Sequence, residues 1–336
     1  MIKYAEETEE FKRELLDADM VLVGLGKFLE DEVESHDQNR FGDKFQLNEL
    51  IGRKEAGIAL HDENFYWLNP ILGHGIVRSY VRDEAGGEKA IGRTAGEERA
   101  FAALERLAGI LGKKNYFVLS EMQNPLVREV SWREGRIVMP WGCFDKKQCG
   151  NTCEDSEIMA LTKTEREGLD EEAGKFWTKI RRIMKEDANK VETDKAMGKV
   201  GNNEVLNMGK NNADLPEDVA FALKMLMKRE KIHEEARKFG EAAKNLLGTC
   251  RHCGAAMELN VVECDKFDSR GHKKEWEFYG KWLYGSMNRK LLLLDLGGQI
   301  GRNGLIEEPF RKLLELHKNV KIHTIKENII DWLENL

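Results

Sequence analysis

The sequence predicts an α/β fold of the doubly wound kind, a parallel sheet covered by helices on both faces. Two observations carry this expectation: short apolar runs that do not alternate with polar residues, and segments of helical period lying between them. Strands buried on both faces read as continuous Val, Ile and Leu, whereas half-exposed strands alternate. A third observation, two close pairs of cysteines set far apart in the chain, adds a small module to that sheet.

Taken in order, the segment Glu6 to Leu16 places Phe11, Leu15 and Leu16 at helical spacing and predicts an opening amphipathic helix. Met20 to Val23 is the first apolar run and ends in the turn Gly24-Leu25-Gly26. Further runs follow at Tyr116 to Leu119, Arg136 to Met139, Leu291 to Leu296 and Val320 to Ile325, and of the five the first, second and fourth are apolar almost throughout. Helices are expected from Arg99 to Leu111 and from Pro309 to Leu316, each just ahead of a strand. Between Glu154 and Thr249 no strand is evident. There Glu171 to Met184 carries an apolar stripe at helix period, Lys195 to Ala213 is a Gly- and Asn-rich loop, and Pro216 to Leu247 reads as a long helix broken near Gly240.

The bulk numbers fit a globular chain. Of 336 residues, 41% are apolar and 34% charged, which suffices for a sizeable core. A net charge of −7, with basic residues dispersed, disfavours attraction to a phosphate backbone, so no nucleic-acid partner is expected. The basic stretch Lys179 to Lys185 reads as the solvated face of a helix. No apolar run is long enough to span a bilayer, and the N-terminus resembles neither a signal nor a transit peptide. A cytoplasmic protein is the expectation, with no membrane partner.

In a reducing compartment, six cysteines point to metal or catalysis rather than to disulfides. Cys149-x3-Cys153 and Cys250-x2-Cys253 are two knuckles, each able to present two sulfurs to one ion. Together they complete a tetrahedron, so the four are expected to form one structural zinc site. His252, inside the second knuckle, is not needed as a fifth ligand. Cys143 and Cys264 read as packed thiols. The domain division that follows is a sheet domain of residues 1–142 and 265–336, and a zinc module of 143–264 containing a helical insertion, 154–249.

Gly24 and Gly26 sit where an open, Rossmann-like sheet brings a nucleotide pyrophosphate to a helix N-terminus. Gly297 and Gly298 make a second glycine turn at the end of the fourth strand. A lone GxG also serves as a mere connector, and the third glycine of the dinucleotide fingerprint is absent. The histidines are scattered; His61 and His74 flank an aromatic stretch that reads as a buried helix or strand, and none is a candidate base.

In this order the motifs resemble the sirtuin family, especially its microbial branch associated with macrodomains. Met20 to Gly26 resembles the strand and turn that open a sirtuin NAD site, and Lys114 to Ser120 the strand leading to that family's Thr-Asn-x-Asp motif. Gly142-Cys143-Phe144 and Gln148-Cys149 resemble the passage from the catalytic residue into the first knuckle. Cys250 to Asn260 resembles the second knuckle, and Leu291 to Phe310 the later nucleotide loop. The resemblance implies NAD or ADP-ribose as ligand, held by Gly24, Gly26, Ser120, Asn124, Gly297 and Gly298.

The departures fall on chemistry-bearing positions. Glu121-Met122-Gln123-Asn124 replaces Thr-Asn-x-Asp, and Gln299-Ile300-Gly301 replaces a Gly-x-Asn type motif. Trp141 stands where the family has a catalytic histidine or glutamine, and an indole offers no general base near neutral pH. No catalytic residue is nominated. The expectation is a regulatory or binding protein of sirtuin type, engaging a protein partner or substrate. The alternative is an NAD-dependent ADP-ribosyltransferase or deacylase with altered catalytic residues.

Overall fold

The structure is a computed structural model that describes residues 2–35, 95–185, 231–298 (apart from 233, 236, 263 and 265) and 304–336. The aromatic stretch between His61 and His74, the loop from Lys195, the first part of the helix expected from Pro216, and Gln299 to Gly301 lie outside these residues.

Five strands form one parallel sheet: β1 (Met20–Leu25), β2 (Asn115–Ser120), β3 (Ile137–Val138), and, after three strands of another sheet, β7 (Leu291–Leu296) and β8 (Val320–Ile325). Their order is β3-β2-β1-β7-β8, with β1 central. The register is unbroken, Leu22 lying between Phe117 and Leu293 and Leu25 between Ser120 and Leu296. Every residue of β1 and β7 is buried.

Burial on both faces explains the apolar runs. Val21, Val23 and Leu25 point into one core with Val118, Leu292 and Leu294; Met20 and Leu22 point into the other with Phe117, Leu291 and Leu293. Each Leu so buried contributes about 1.5–3 kcal/mol. The first core is covered by α1 (Ile2–Asp17) through Phe11 and Leu15, by α2 (Lys27–Ser35) through Leu29 and Val33, and by α3 (Ala95–Leu111) through Leu104 and Leu107. The one-turn α4 (Leu126–Glu129) adds Leu126 and Val127. The second core is covered by α6 (Lys273–Tyr284), through Tyr279 and Trp282, and by α7 (Glu307–Leu316), through Phe310. The C-terminal α8 (Ile329–Glu334) returns to the first core, where Trp332 meets Phe11 edge-on at 5.3 Å.

Two differences from the sequence reading have clear causes. The run at Arg136 to Met139 is a strand only at Ile137–Val138, because Gly135 and Pro140 bracket it and the sheet ends there. Within the segment expected to lack strands, Met159–Ala160 forms β5, too short and too exposed to leave a pattern.

β5 belongs to a second, antiparallel sheet ordered β5-β4-β6, with β4 spanning Gly142–Cys149 and β6 spanning Met257–Val261. Helix α5 (Lys163–Lys185) then covers the stripe expected from Glu171, with Phe176 buried against Phe239 at 5.8 Å. Residues 237–247 are helical straight through Gly240, so the expected break is absent. The chain divides into two compact units, residues 1–41, 89–166 and 247–336 in one, and 42–88 and 167–246 in the other.

Candidate metal centre and strand-edge crevice

β4 ends at Cys149 and runs antiparallel to β6, pairing Cys149 with Met257. This pairing brings the two knuckles to the same end of the small sheet. Sγ of Cys149 lies 3.4 Å from that of Cys253, and Cys153 Sγ lies 3.6 Å from Cys250 Sγ. All four sulfurs fall within 4.8 Å of one another. No pair is a disulfide. Thiolates at tetrahedral corners around an ion bound at ~2.3 Å stand about 3.8 Å apart, so this donor set fits one four-coordinate metal ion. His252, next to Cys253 in the second knuckle, is not among the four groups that come together.

The second knuckle is tightly wound: Cys250 N donates to Ala255 O, and Gly254 N returns to Cys250 O. Gly254 takes a φ of +72°, a conformation only glycine adopts without strain. Among the four neighbouring sulfurs, backbone N–H groups of Cys253 and His252 pull the Cys250 thiol down to about 6, while the thiols of Cys153 and Cys253 are pushed up. Donors aimed at a sulfur favour the thiolate, the form that ligates metal.

Groups that the sequence reading missed hold these loops. The guanidinium of Arg270 donates to Glu154 O at 2.7 Å and Cys153 O at 3.1 Å, and is itself held by Asp268. Beside Cys149, the Gln148 side-chain oxygen accepts from Asn260 Nδ2 at 2.6 Å and from Asp268 N at 2.9 Å, while its amide donates to Lys266 O. Arg270 lies 117 residues from Cys153, so no spacing in the sequence could have revealed it. The two other cysteines are packed thiols as expected: Cys143 is buried, and Cys264 donates to Leu259 O.

Of the six residues expected at a nucleotide crevice, five lie at or just past the carboxyl ends of the adjacent strands β2, β1 and β7, and Asn124 follows in the segment after β2. There the chain packs closely upon itself. A methyl group on Gly26 would stand 2.0 Å from the Gly297 carbonyl oxygen and 2.2 Å from Gly298 N; one on Gly24 would meet Ile306 at 2.6 Å. At the start of α2, Phe28 N donates to Gly297 O. Ser120 Oγ accepts from Met122 N, and Asn124 accepts from Leu126 N while donating to Glu97.

The charges at this edge are mostly acidic and buried. Glu121 Oε1 accepts from Leu305 N at 2.6 Å and Ile306 N at 3.2 Å, ahead of α7. Glu30 accepts from Gln123 N and pairs with Lys27 at 2.8 Å. Asp295 accepts from Gly298 N at 2.7 Å and pairs with Lys326 at 3.1 Å; burial raises its pKa. Lys326 also pairs with Glu307. Trp141, half-buried, engages through its carbonyl, which accepts from Gln123 Nε2 and Val262 N.

Fold and site therefore define an α/β protein with an open parallel sheet and a four-cysteine centre able to hold a metal ion. Compared with known proteins, the chain matches no protein-family model and no curated protein.

Proposed function

We propose that this protein is a divergent, sirtuin-like scaffold that holds NAD, ADP-ribose or a protein partner without consuming the nucleotide, its four cysteines binding structural zinc. The observation carrying this reading is the make-up of the strand-edge crevice. Nicotinamide leaves as a neutral molecule, but activating the hydroxyl or water that takes its place calls for a polar group able to handle a proton, and position 141 supplies an indole. That weighs against turnover, while the strands, helices and knuckles that make a scaffold remain.

Isothermal titration with NAD and with ADP-ribose, run beside an assay for released nicotinamide, tests this. Binding of either ligand without nicotinamide release supports the holding role, and absence of binding narrows it to a protein partner. Steady release of nicotinamide that disappears in Asn124→Ala overturns the reading in favour of an ADP-ribosyltransferase or deacylase. Metal analysis of protein purified without added metal should give one zinc per chain.

A further inference from the structure

All six cysteines are free thiols, but they differ in their access to solvent. Cys253 is exposed and Cys153 half-buried, whereas Cys149, Cys250, Cys143 and Cys264 are buried. An oxidant arriving from water meets the accessible sulfurs first. Each accessible sulfur of the quartet has a buried one beside it, and in both cases that neighbour belongs to the other knuckle. Cys253 lies 3.4 Å from Cys149, and Cys153 lies 3.6 Å from Cys250.

A disulfide holds its sulfurs at about 2.05 Å, so each pair has to close by roughly 1.5 Å. The buried partners stand on anchored backbone. Cys149 ends β4 in register with Met257, while Cys250 donates its N–H to Ala255 O at 2.7 Å and accepts from Gly254 N at 2.9 Å. Pairing across the knuckles also differs in its consequence. A bond inside a knuckle ties residues three or four positions apart and lets the knuckles separate once no ion joins them. A bond from Cys149 to Cys253, or from Cys153 to Cys250, joins residues 104 or 97 positions apart. Crosslinks of that span restrict an unfolded chain more than short ones do.

We propose that the quartet is a site of reversible oxidation by hydroperoxides, in which Cys253 and Cys153 react first and Cys149 and Cys250 resolve them. The Cys253 thiolate attacks a peroxide oxygen; an S–O bond forms from the sulfur's electron pair as the O–O bond breaks and hydroxide leaves. The Cys149 thiolate then attacks the sulfenic sulfur, the S–S bond forms, and the S–O bond breaks with loss of a second hydroxide. Solvent protonates both to water, so one peroxide takes up the two electrons that the two sulfurs lose. A second peroxide does the same at Cys153 and Cys250. With its ligands used up, a bound ion is released while the two knuckles stay joined. The release of metal rests on reading the quartet as a zinc site; the pairing rests on the sulfurs alone.

The test treats the full chain, loaded with zinc, with hydrogen peroxide. A chromophoric zinc indicator follows the metal, and non-reducing peptide mapping by mass spectrometry follows the sulfurs. Loss of the bound zinc is expected in step with Cys149–Cys253 and Cys153–Cys250 linkages, with Cys143 and Cys264 unmodified. A phosphine reductant should restore zinc binding, and the oxidised chain should melt at a higher temperature than the reduced chain stripped by chelator. The same mapping on stripped protein separates this inference from the zinc reading: a chain that takes up no zinc yet forms both linkages sinks that reading and leaves the pairing standing. Linkages within the knuckles, irreversible sulfinic acid at Cys253, quartet thiols that stay reduced in the stripped chain, or zinc that stays bound under peroxide sufficient to link the stripped chain overturns the inference.

Discussion

Around the first cysteine pair, Arg270 donates to the carbonyls of Cys153 and Glu154 while Asp268 steadies its guanidinium. Neither side chain touches a sulfur, yet both fix the loop that presents one. Outer groups of this kind set metal affinity, so Arg270→Ala should weaken zinc binding about 10–100-fold, measured by competition with a chromophoric chelator, with the fold intact at saturating metal. The glycine at position 26 is constrained differently. Its missing side chain lets the backbone of Gly297 and Gly298 approach, and a methyl group would meet main-chain atoms that cannot swing aside. Gly26→Ala should cost about 3 kcal/mol or more in urea unfolding. The sequence marked both glycine turns, because a strand-end glycine is a local signal. It could not show whether the space they open admits a ligand or is filled by the opposite turn. That depends on residues more than 250 positions apart, as the Gly26 to Gly297 contact illustrates.

Helix α5 begins with a reciprocal cap. Thr162 Oγ1 accepts from Glu165 N, and the Glu165 carboxylate accepts from Thr162 N at 2.8 Å. The same carboxylate meets Lys147 of β4, whose ammonium also donates to Leu247 O where the later helix ends. Burial pushes the Glu165 carboxyl up, but the bonds from Lys147 and Thr162 outweigh it and hold it below its ordinary value of 4.5. A lowered carboxylate adds stability above that value and loses it as the pH falls through the folded-state value. Glu165→Ala should therefore cost about 1–2 kcal/mol near neutrality, and its gap to the wild type should close as unfolding is followed below about pH 4.5. At the other end of the chain, Trp332 fills the core beneath Phe11 with no exposed surface. Trp332→Ala should cost about 3–5 kcal/mol in the same assay. Strands β1, β2 and β7 were legible because burial on two faces leaves an unbroken apolar run, whereas β8, at the sheet edge, is half-exposed and mixes Val320, Ile322 and Ile325 with polar residues. The small sheet was not: Phe144 to Gln148 is largely polar, and its register with Glu258 and Leu259 comes from pairing across more than a hundred residues. Helix α6 escaped notice for a related reason, since it buries only Tyr279 and Trp282 and leaves Trp276 and Phe278 exposed.

Across the whole chain, the metal centre is what the sequence announced most clearly, because thiolate spacing within each knuckle is set by covalent geometry alone. On the proposed zinc site, removing the ion should unfold the small sheet first, since its two main strands meet at the quartet. A strong chelator should lower the melting temperature by roughly 10 °C or more, and restored zinc should reverse it. The span between the knuckles has a further consequence. Cys153 and Cys250 lie 97 positions apart, so bringing them together closes a long loop. The entropy of that closure grows only with the logarithm of loop length, and each doubling adds about 0.6 kcal/mol. An ion held by the four cysteines would thus work as a clasp on the two ends of this excursion. By that measure the loops joining the helices of the excursion can be lengthened at little thermodynamic cost, whereas the helices themselves, packed through Phe176 and Phe239, cannot be trimmed without loss.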